Sequence, residues 1–537
     1  VTAHIDTFAR DNLPPRSAWP EFLYDLPQLQ YPAQLNAGVE LLDAMVAQGF
    51  GERPAVLTTE RRVTYAQLLD EANRIAAVLR DDLGVVPGNR VLLRGYNNDV
   101  TAACWLGIVK AGAIVVTTMP LLRARELVDV ITAANISVAI CDYRLREDLQ
   151  QALPLTPTLD TIVYSHQDGP SGLSALMGRH DGTFENVATA SDDVCMIAFT
   201  SGTTGKPKGT MHFHRDVLAC CDTFPPSSFV TTPEDIFVGT PPLAFTYGLG
   251  GGLLFPLRVG AATFLLERAS PDALLGTIAG HGATICFAAP PSYRSMAPLV
   301  SRYDLRSLRA CVSAGEALPA STRAMWEAAS GVRIIDGIGS TEMLHVFIAA
   351  SGDEIRPGAT GKPVPGYVAE IHDDDGAPLP TNTVGRLAVK GPTGCRYLAD
   401  PRQRDYVRGG WNYTGDAYLM DDDGYFWYQA RTDDMIVASG YNIAGPEVEG
   451  ALLDHPDVSE CAVVGDADEE RGTIVKAYVV LRDRTGDDAL VKVLQDFVKA
   501  RIAPYKYPRA IEFVEELPRT LTGKLQRYRL RDGAKPK

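Results

Sequence analysis

The chain has 537 residues, 46% hydrophobic and 22% charged, the balance of a globular protein too long for one core. Its net charge of −15 leaves no basic excess to neutralise phosphates, which argues against a nucleic-acid partner. Nine cysteines fall in no metal-ligand spacing and are expected as buried, reduced thiols of a cytoplasmic protein.

Residues 1–35 are rich in proline and aromatics without periodicity and are expected as an extended arm on the body, with no signal-peptide pattern. Thr64 and Gln67 have capping-box spacing, and Leu68, Leu69, Ala72, Ile75, Ala76 and Leu79 follow on one helical face, closed by Gly84. A strand at 91–93, a helix at 100–110 and a strand at 113–116 come next, then an apolar run at 194–199. Further strands are predicted at 235–239, 262–266, 284–288, 309–313 and 333–336, with helical stretches between several of them. This alternation predicts largely parallel sheets covered by helices. The apolar stretch 249–266 is broken by glycines, Pro256 and Arg258, so no membrane span is expected. After about residue 370, glycine, aspartate and proline cluster at 372–380, and short strands follow at 385–390 and 425–428. From Asp434 the chain restarts, with strands at 461–464, 476–481 and 510–514 and a helix at 488–501, enough for a small α+β domain. The expected division is 1–432 and 433–537.

Chemistry concentrates in five places. Thr200, Ser201, Gly202, Thr203, Thr204, Gly205, Lys206, Pro207, Lys208 and Gly209 put three glycines, four hydroxyls and two lysines behind the apolar run. That composition presents backbone N–H groups and positive charge to a phosphate, although no Walker A spacing can be drawn through it. Asp336, Gly337, Ile338, Gly339, Ser340, Thr341 and Glu342 follow a strand end, where α/β sheets bind ligands; a Thr-Glu pair opening a helix is the plain alternative. Ser313, Ala314, Gly315, Glu316 and Ala317 follow another strand end. Asp416 after Gly415 reads equally as a turn aspartate or a clamp for paired hydroxyls, and Lys524 reads by itself as a surface lysine.

Together, in order and spacing over about residues 50–530, these segments resemble the adenylate-forming superfamily of acyl-CoA synthetases, luciferases and peptide-synthetase adenylation domains. The resemblance implies an α/β fold: a large N-terminal domain of mainly parallel sheets flanked by helices plus a β-rich subdomain, and a small mobile C-terminal domain. It implies that 200–208 hold the phosphates of ATP, that Gly315, Glu316, Ala317, Asp336 and Gly337 line the adenine side, and that Thr341 contacts phosphate. Glu342 would hold Mg²⁺, Asp416 and Arg431 the ribose side, Asp433 the hinge and Gly440 the pantetheine channel of coenzyme A. Lys524 would neutralise charge developing in adenylation. Ala430 stands where the family usually has glycine.

No acid lies in the segment 243–250, as amino-acid adenylation would need, and no carrier domain is expected beyond Lys524. The run 337–347, with Phe245, Thr246 and Tyr247, resembles benzoate-CoA and 2-aminobenzoate-CoA ligases. That likeness places Tyr247, Gly339 and His345 around a flat aryl pocket, the glycine admitting a ring face, with Thr246 for the usual alanine and Val346 for the usual isoleucine. The expected activity is ATP-dependent ligation of an aryl carboxylate, ortho-substituted such as 2-aminobenzoate or a 2-hydroxyaryl acid, to coenzyme A. Rivals are a ligase for another or bicyclic acid and a non-catalytic acyl-nucleotide-binding regulator. The implied partners are the small aromatic acid, ATP and coenzyme A, without nucleic acid or membrane. A homodimer and a lysine acetyltransferase acting on Lys524 are further candidates.

Overall fold

In the computed structural model the described residues are 1–200, 207–438, 441–468, 472–482, 485–502, 506–519 and 525–531. The N-terminal arm is laid on the body as expected. Thr2 and the Ala3 amide bond to Asp193, Leu23 N–H donates to Gly391, and Leu35 N–H donates to Thr189.

The Thr64–Gln67 pair is a true capping box, each side chain satisfying the other's backbone amide at the start of the helix Tyr65–Ala77. Leu68, Ala72, Ile75 and Ala76 are buried on it, and after one wider turn at Val78–Asp82 the chain reverses at Gly84 with φ +65°. The next helix, Asp99–Lys110, is capped by Asn98 and buried nearly all round, so its sequence is apolar on every face.

Two sheets carry the large part of the molecule. A six-stranded sheet runs Thr161–Ser165, Val138–Asp142, Arg90–Arg94, Ile114–Thr118, Val194–Thr200, Lys208–Phe213. All its pairs are parallel except the last. A nine-stranded sheet has a parallel middle, in which Ile334–Gly339, Ala310–Ser313, Ile285–Ala288, Ile236–Gly239, Ala262–Phe264 and Pro54–Leu57 are successive neighbours. Its two ends are antiparallel, through Arg62–Thr64 on one side and Val346–Ala349 on the other. The expected parallel α/β architecture is present, with antiparallel margins that alternation alone does not reveal. A five-stranded antiparallel sheet built around Gly385–Lys390 and Trp411–Met420 forms the β-rich part.

Residues from Ile436 onward have their own core, in which Ile436, Val448, Leu452, Val463, Val479, Leu490, Leu494 and Val498 pack together. It comprises the strands Val458–Asp468, Gly472–Leu481 and Ala510–Phe513 with the helices Gly445–Leu453 and Asp488–Lys499. All nine cysteines are buried and free. Among the described residues no helix is long and apolar enough to cross a membrane.

Candidate active site

The two ends of the glycine-rich segment belong to paired strands. Val194–Thr200 pairs antiparallel with Lys208–Phe213, Thr200 opposite Lys208, and the helix His214–Ser228 begins only after the second strand. Ser201, Gly202, Thr203, Thr204, Gly205 and Lys206 lie outside the described residues. Lys208 lies at the exit. Its ammonium donates to the Tyr397 hydroxyl at 2.8 Å, and that hydroxyl donates to Oε1 of Glu342 at 2.5 Å. Lys208 and Glu342 are themselves 3.8 Å apart. Burial and the adjacent Glu342 carboxylate hold the Tyr397 phenol far above its ordinary pKa.

Ser340, Thr341 and Glu342 belong to a turn joining the antiparallel strands Ile334–Gly339 and Val346–Ala349; they open no helix. The turn is pinned from several sides. His212 donates from Nε2 to the Thr341 carbonyl at 2.8 Å, Ser340 bonds the Tyr406 hydroxyl at 3.1 Å, and Thr393 bonds the Met343 carbonyl at 2.7 Å. Leu344, fully buried, takes φ +70°, a conformation that a branched residue adopts only when its surroundings impose it. His212 is held neutral, its pKa pushed down to about 3 by burial and by Arg396, which leaves one ring N–H for that carbonyl. Arg396 is itself buried against Asp216, with its guanidinium carbon 3.9 Å from the centre of the Phe213 ring.

The strands Ala310–Ser313 and Ile334–Gly339 are parallel neighbours with Ser313 opposite Asp336, so their carboxyl ends deliver 313–317 and 336–342 side by side. A crevice there is where such sheets bind nucleotides. Gly315 has φ +92° and open space where a Cβ would stand. Burial pushes the Asp336 carboxyl up to about 7. Gly337 is required by packing, since a Cβ would come within 2.7 Å of the Val346 side chain.

Asp416 lies within the long strand Trp411–Met420 rather than in a turn, directly opposite Arg431. Arg431 donates to Asp416 at 3.0 Å and to the Thr414 carbonyl at 3.0 Å. Gly415, at φ +78°, leaves room for that guanidinium, since a Cβ would fall 2.8 Å from it. Ala430 is buried and paired with Ala417, so a methyl is accommodated where the family has glycine. Tyr406 feels the charges of both Glu342 and Asp416, and Tyr418 those of both Asp416 and Asp336, so these sites share one neighbourhood.

Asp433 lies in the short turn Thr432–Asp434. Gly440 and Lys524 lie outside the described residues. Arg519 and Leu525, the nearest described residues on either side of Lys524, form an antiparallel bridge, and the Arg519 guanidinium is 3.8 Å from Glu316.

On the acyl side, Thr246 and Tyr247 start the single-turn helix Thr246–Leu249, with Phe245 at its N-cap. The Tyr247 hydroxyl donates to the Val312 carbonyl at 2.9 Å. His345 lies just before a strand rather than in a helix, among the rings of Phe224, Phe255 and Tyr247, with centroids 5.5, 4.5 and 5.6 Å away. Burial pushes its pKa down to about 3, its Nε2 is 3.4 Å from the Tyr247 carbonyl, and its Nδ1 has no partner among the described residues. Thr246 is buried and its hydroxyl bonds no described residue. Gly339 has a reason other than admitting a ring: a Cβ there would be 2.7 Å from the His345 carbonyl oxygen, so glycine is demanded by the strand pairing.

The site fits a magnesium ion. Glu342 Oε2 has no protein partner among the described residues, and no group of three or more histidine, cysteine or acidic side chains forms an all-protein cage there. A single carboxylate, completed by phosphate oxygens and water, is the donor set this ion prefers.

Tyr397, Tyr406, His212 and Arg396 escaped the sequence reading. The available signal was polar residues embedded in apolar runs, His212 and His214 behind the glycine-rich segment and Arg396 beside Cys395.

The family model described as "AMP-binding enzyme" matches residues 44–397, and that of the "AMP-binding enzyme C-terminal domain" matches 447–524. A benzoate–CoA ligase of Thauera aromatica is 37% identical over 512 residues, covering 94% of this chain and 97% of the relative. Among solved structures, the anthranilate CoA ligase AuaEII in complex with anthranoyl-AMP superposes with a TM-score of 0.90 at 35% identity, covering 95% of this chain and 99% of that one. A benzoate CoA ligase from Burkholderia xenovorans LB400 superposes with a TM-score of 0.83 at 32% identity, covering 92% and 99%.

Proposed function

The chain belongs to the AMP-binding enzyme family, and from that premise we propose that it is an ATP-dependent ligase joining an aryl carboxylate to coenzyme A through an aryl-adenylate. The carboxylate oxygen attacks the α-phosphorus of ATP and pyrophosphate leaves. The coenzyme A thiolate then attacks the acyl carbon, the thioester forms, and AMP departs.

The observation that carries this reading is the turn itself. Glu342 and His345 are three residues apart on one pinned turn, the first beside Lys208, the second inside an aromatic cluster. An acid seated against the rings therefore presents its carboxylate to the phosphate-handling residues, the proximity that adenylation requires. Magnesium bound at Glu342 would offset phosphate charge. Lys208 supplies fixed positive charge, Arg431 and Asp416 form the ribose side, and Lys524 supplies the mobile cation of the first step. Residues 433–537 then swing about Asp433, and Gly440 lines the pantetheine path.

The preferred acid is ortho-substituted, 2-aminobenzoate or a 2-hydroxyaryl acid. The unpaired Thr246 hydroxyl supports this, as does the likeness to an enzyme solved with anthranoyl-AMP. The proposed setting is the cytoplasm, where buried thiols stay reduced. A second copy of the chain and a lysine acetyltransferase acting on Lys524 complete the proposed partners. The test is AMP and pyrophosphate release with ATP, coenzyme A and each of benzoate, 2-aminobenzoate, salicylate and a naphthoate. No release with any of them would overturn the ligase reading in favour of a nucleotide-binding regulator.

A further inference from the structure

The Lys208–Tyr397–Glu342 chain assigns a task to a residue outside the recognised motifs. Tyr397 sits on a segment added to the margin of the six-stranded sheet: Met211 N–H donates to Arg396 and Leu398 N–H to Gly209, each at 2.8 Å, with Thr210 opposite Tyr397. The tyrosine is thereby fixed beside the start of the strand Lys208–Phe213, its ring edge-on to Tyr406 at 5.8 Å.

A buried phenol needs a hydrogen-bond partner, and a backbone carbonyl is the ordinary solution. Tyr247 and Tyr293 use that solution, both donating to the Val312 carbonyl at 2.9 Å. Tyr397 instead stands between a cation and an anion from two separate phosphate-side segments. The 3.8 Å between Lys208 and Glu342 is too long for a direct hydrogen bond. With the phenol between them, the lysine cannot close on the carboxylate, and among the described residues two of its three N–H donors stay uncommitted. Oε1 is taken and Oε2 is left over.

We infer that Tyr397 is a positioning residue: its hydroxyl spaces Lys208 from Glu342 and fixes one carboxylate oxygen, so that the other is kept for the magnesium of Mg–ATP. This rests on the ligase reading for its metal and nucleotide. Hydrogen-bonding partners of a metal-ligating carboxylate typically control affinity by about ten- to a hundred-fold. Removing the phenol would let Lys208 pair directly with Glu342 and compete with the ion.

The test is Tyr397→Phe in the full chain, which keeps the ring and its contact with Tyr406. ATP affinity is measured by calorimetry in EDTA and in saturating Mg²⁺, alongside the Mg²⁺ dependence of pyrophosphate release. Expected are metal-free ATP binding within about two-fold of wild type, a loss of about ten-fold or more in the affinity gained from Mg²⁺, and a similar rise in half-saturating Mg²⁺. Because Phe could disturb packing, Glu342→Gln and the double variant close a cycle: once Glu342 is neutral, Tyr397→Phe should cost nothing further. Unchanged magnesium dependence, additive losses in the cycle, or an equal loss of metal-free ATP binding would each overturn the inference. Failure of the ligase reading looks different, since wild type would then bind ATP yet release no pyrophosphate with any aryl acid.

Discussion

Thr246→Ala isolates one hydroxyl at the proposed acyl site. Thr246 is 9% exposed, and its hydroxyl bonds no described residue and is not among the fully buried side-chain atoms that lack a partner. Replacing a hydroxyl that bonds nothing described by a methyl removes no described contact, so the melting temperature should change little. With an ortho-amino or ortho-hydroxy acid bound, the same hydroxyl gains a partner, contributing about 0.5–1.5 kcal/mol. Benzoate has nothing to offer it. The variant should therefore lower kcat/KM for 2-aminobenzoate or salicylate about 2- to 12-fold while benzoate stays within about two-fold. The assay is a coupled measurement of pyrophosphate release for both acids, with melting curves of the free proteins. An unchanged ratio between the two acids, or a lowered melting temperature with parallel losses, would refute the reasoning: the hydroxyl would then be a structural group facing away from the ring.

Lys524→Ala should abolish adenylate formation yet spare thioester formation from a supplied aryl-adenylate, which separate half-reaction assays distinguish; equal losses would contradict the division of labour. Acetylation of Lys524 removes the same charge and should silence only the first half-reaction, with activity returning on deacetylase treatment. A third expectation concerns pH. His212, His214 and His345 are fully buried and each is pushed down to about 3 by burial, whereas in the unfolded chain they titrate near 6.5. Their neutral forms therefore support the fold fully above about pH 7, and stability drops as pH falls below 6.5 toward 3, by about 1.4 kcal/mol per pH unit for each imidazole. Urea unfolding between pH 7.5 and 5 reads this slope, and His214→Gln should flatten it by one imidazole's share.

What the sequence made legible was whatever local chemistry dictates. The Thr64–Gln67 capping box, the buried face of the helix after it and the parallel strands ending at Ser313 and Asp336 all follow from spacing and turn residues. The strand Lys208–Phe213 was not legible, because its polar and histidine content suits a loop until its pairing with Val194–Thr200 buries it. Asp416 illustrates a second limit. Its neighbours suggest a turn, and only the register against Arg431 shows a strand residue holding an arginine. Tyr397 illustrates a third: its partners Lys208 and Glu342 are 189 and 55 residues away, so no local pattern could announce it. Gly339 was legible as a needed glycine, and its close approach to the His345 carbonyl adds a packing reason that no local pattern shows.

That reason bears on how the enzyme's selectivity could drift or be redirected. At Gly339 a Cβ would fall 2.7 Å from the His345 carbonyl oxygen, and at Gly250 a Cβ would fall 2.3 Å from the His345 ring. Both positions are therefore closed to any side chain unless the strands Ile334–Gly339 and Val346–Ala349 part or the imidazole is displaced. Neutral variation and directed evolution alike are left with positions such as Thr246, which starts a one-turn helix and whose hydroxyl is bonded to nothing described. The substrate range of this chain is thus adjustable at side chains such as Thr246, with the histidine acting as a fixed template against which new acids must be fitted.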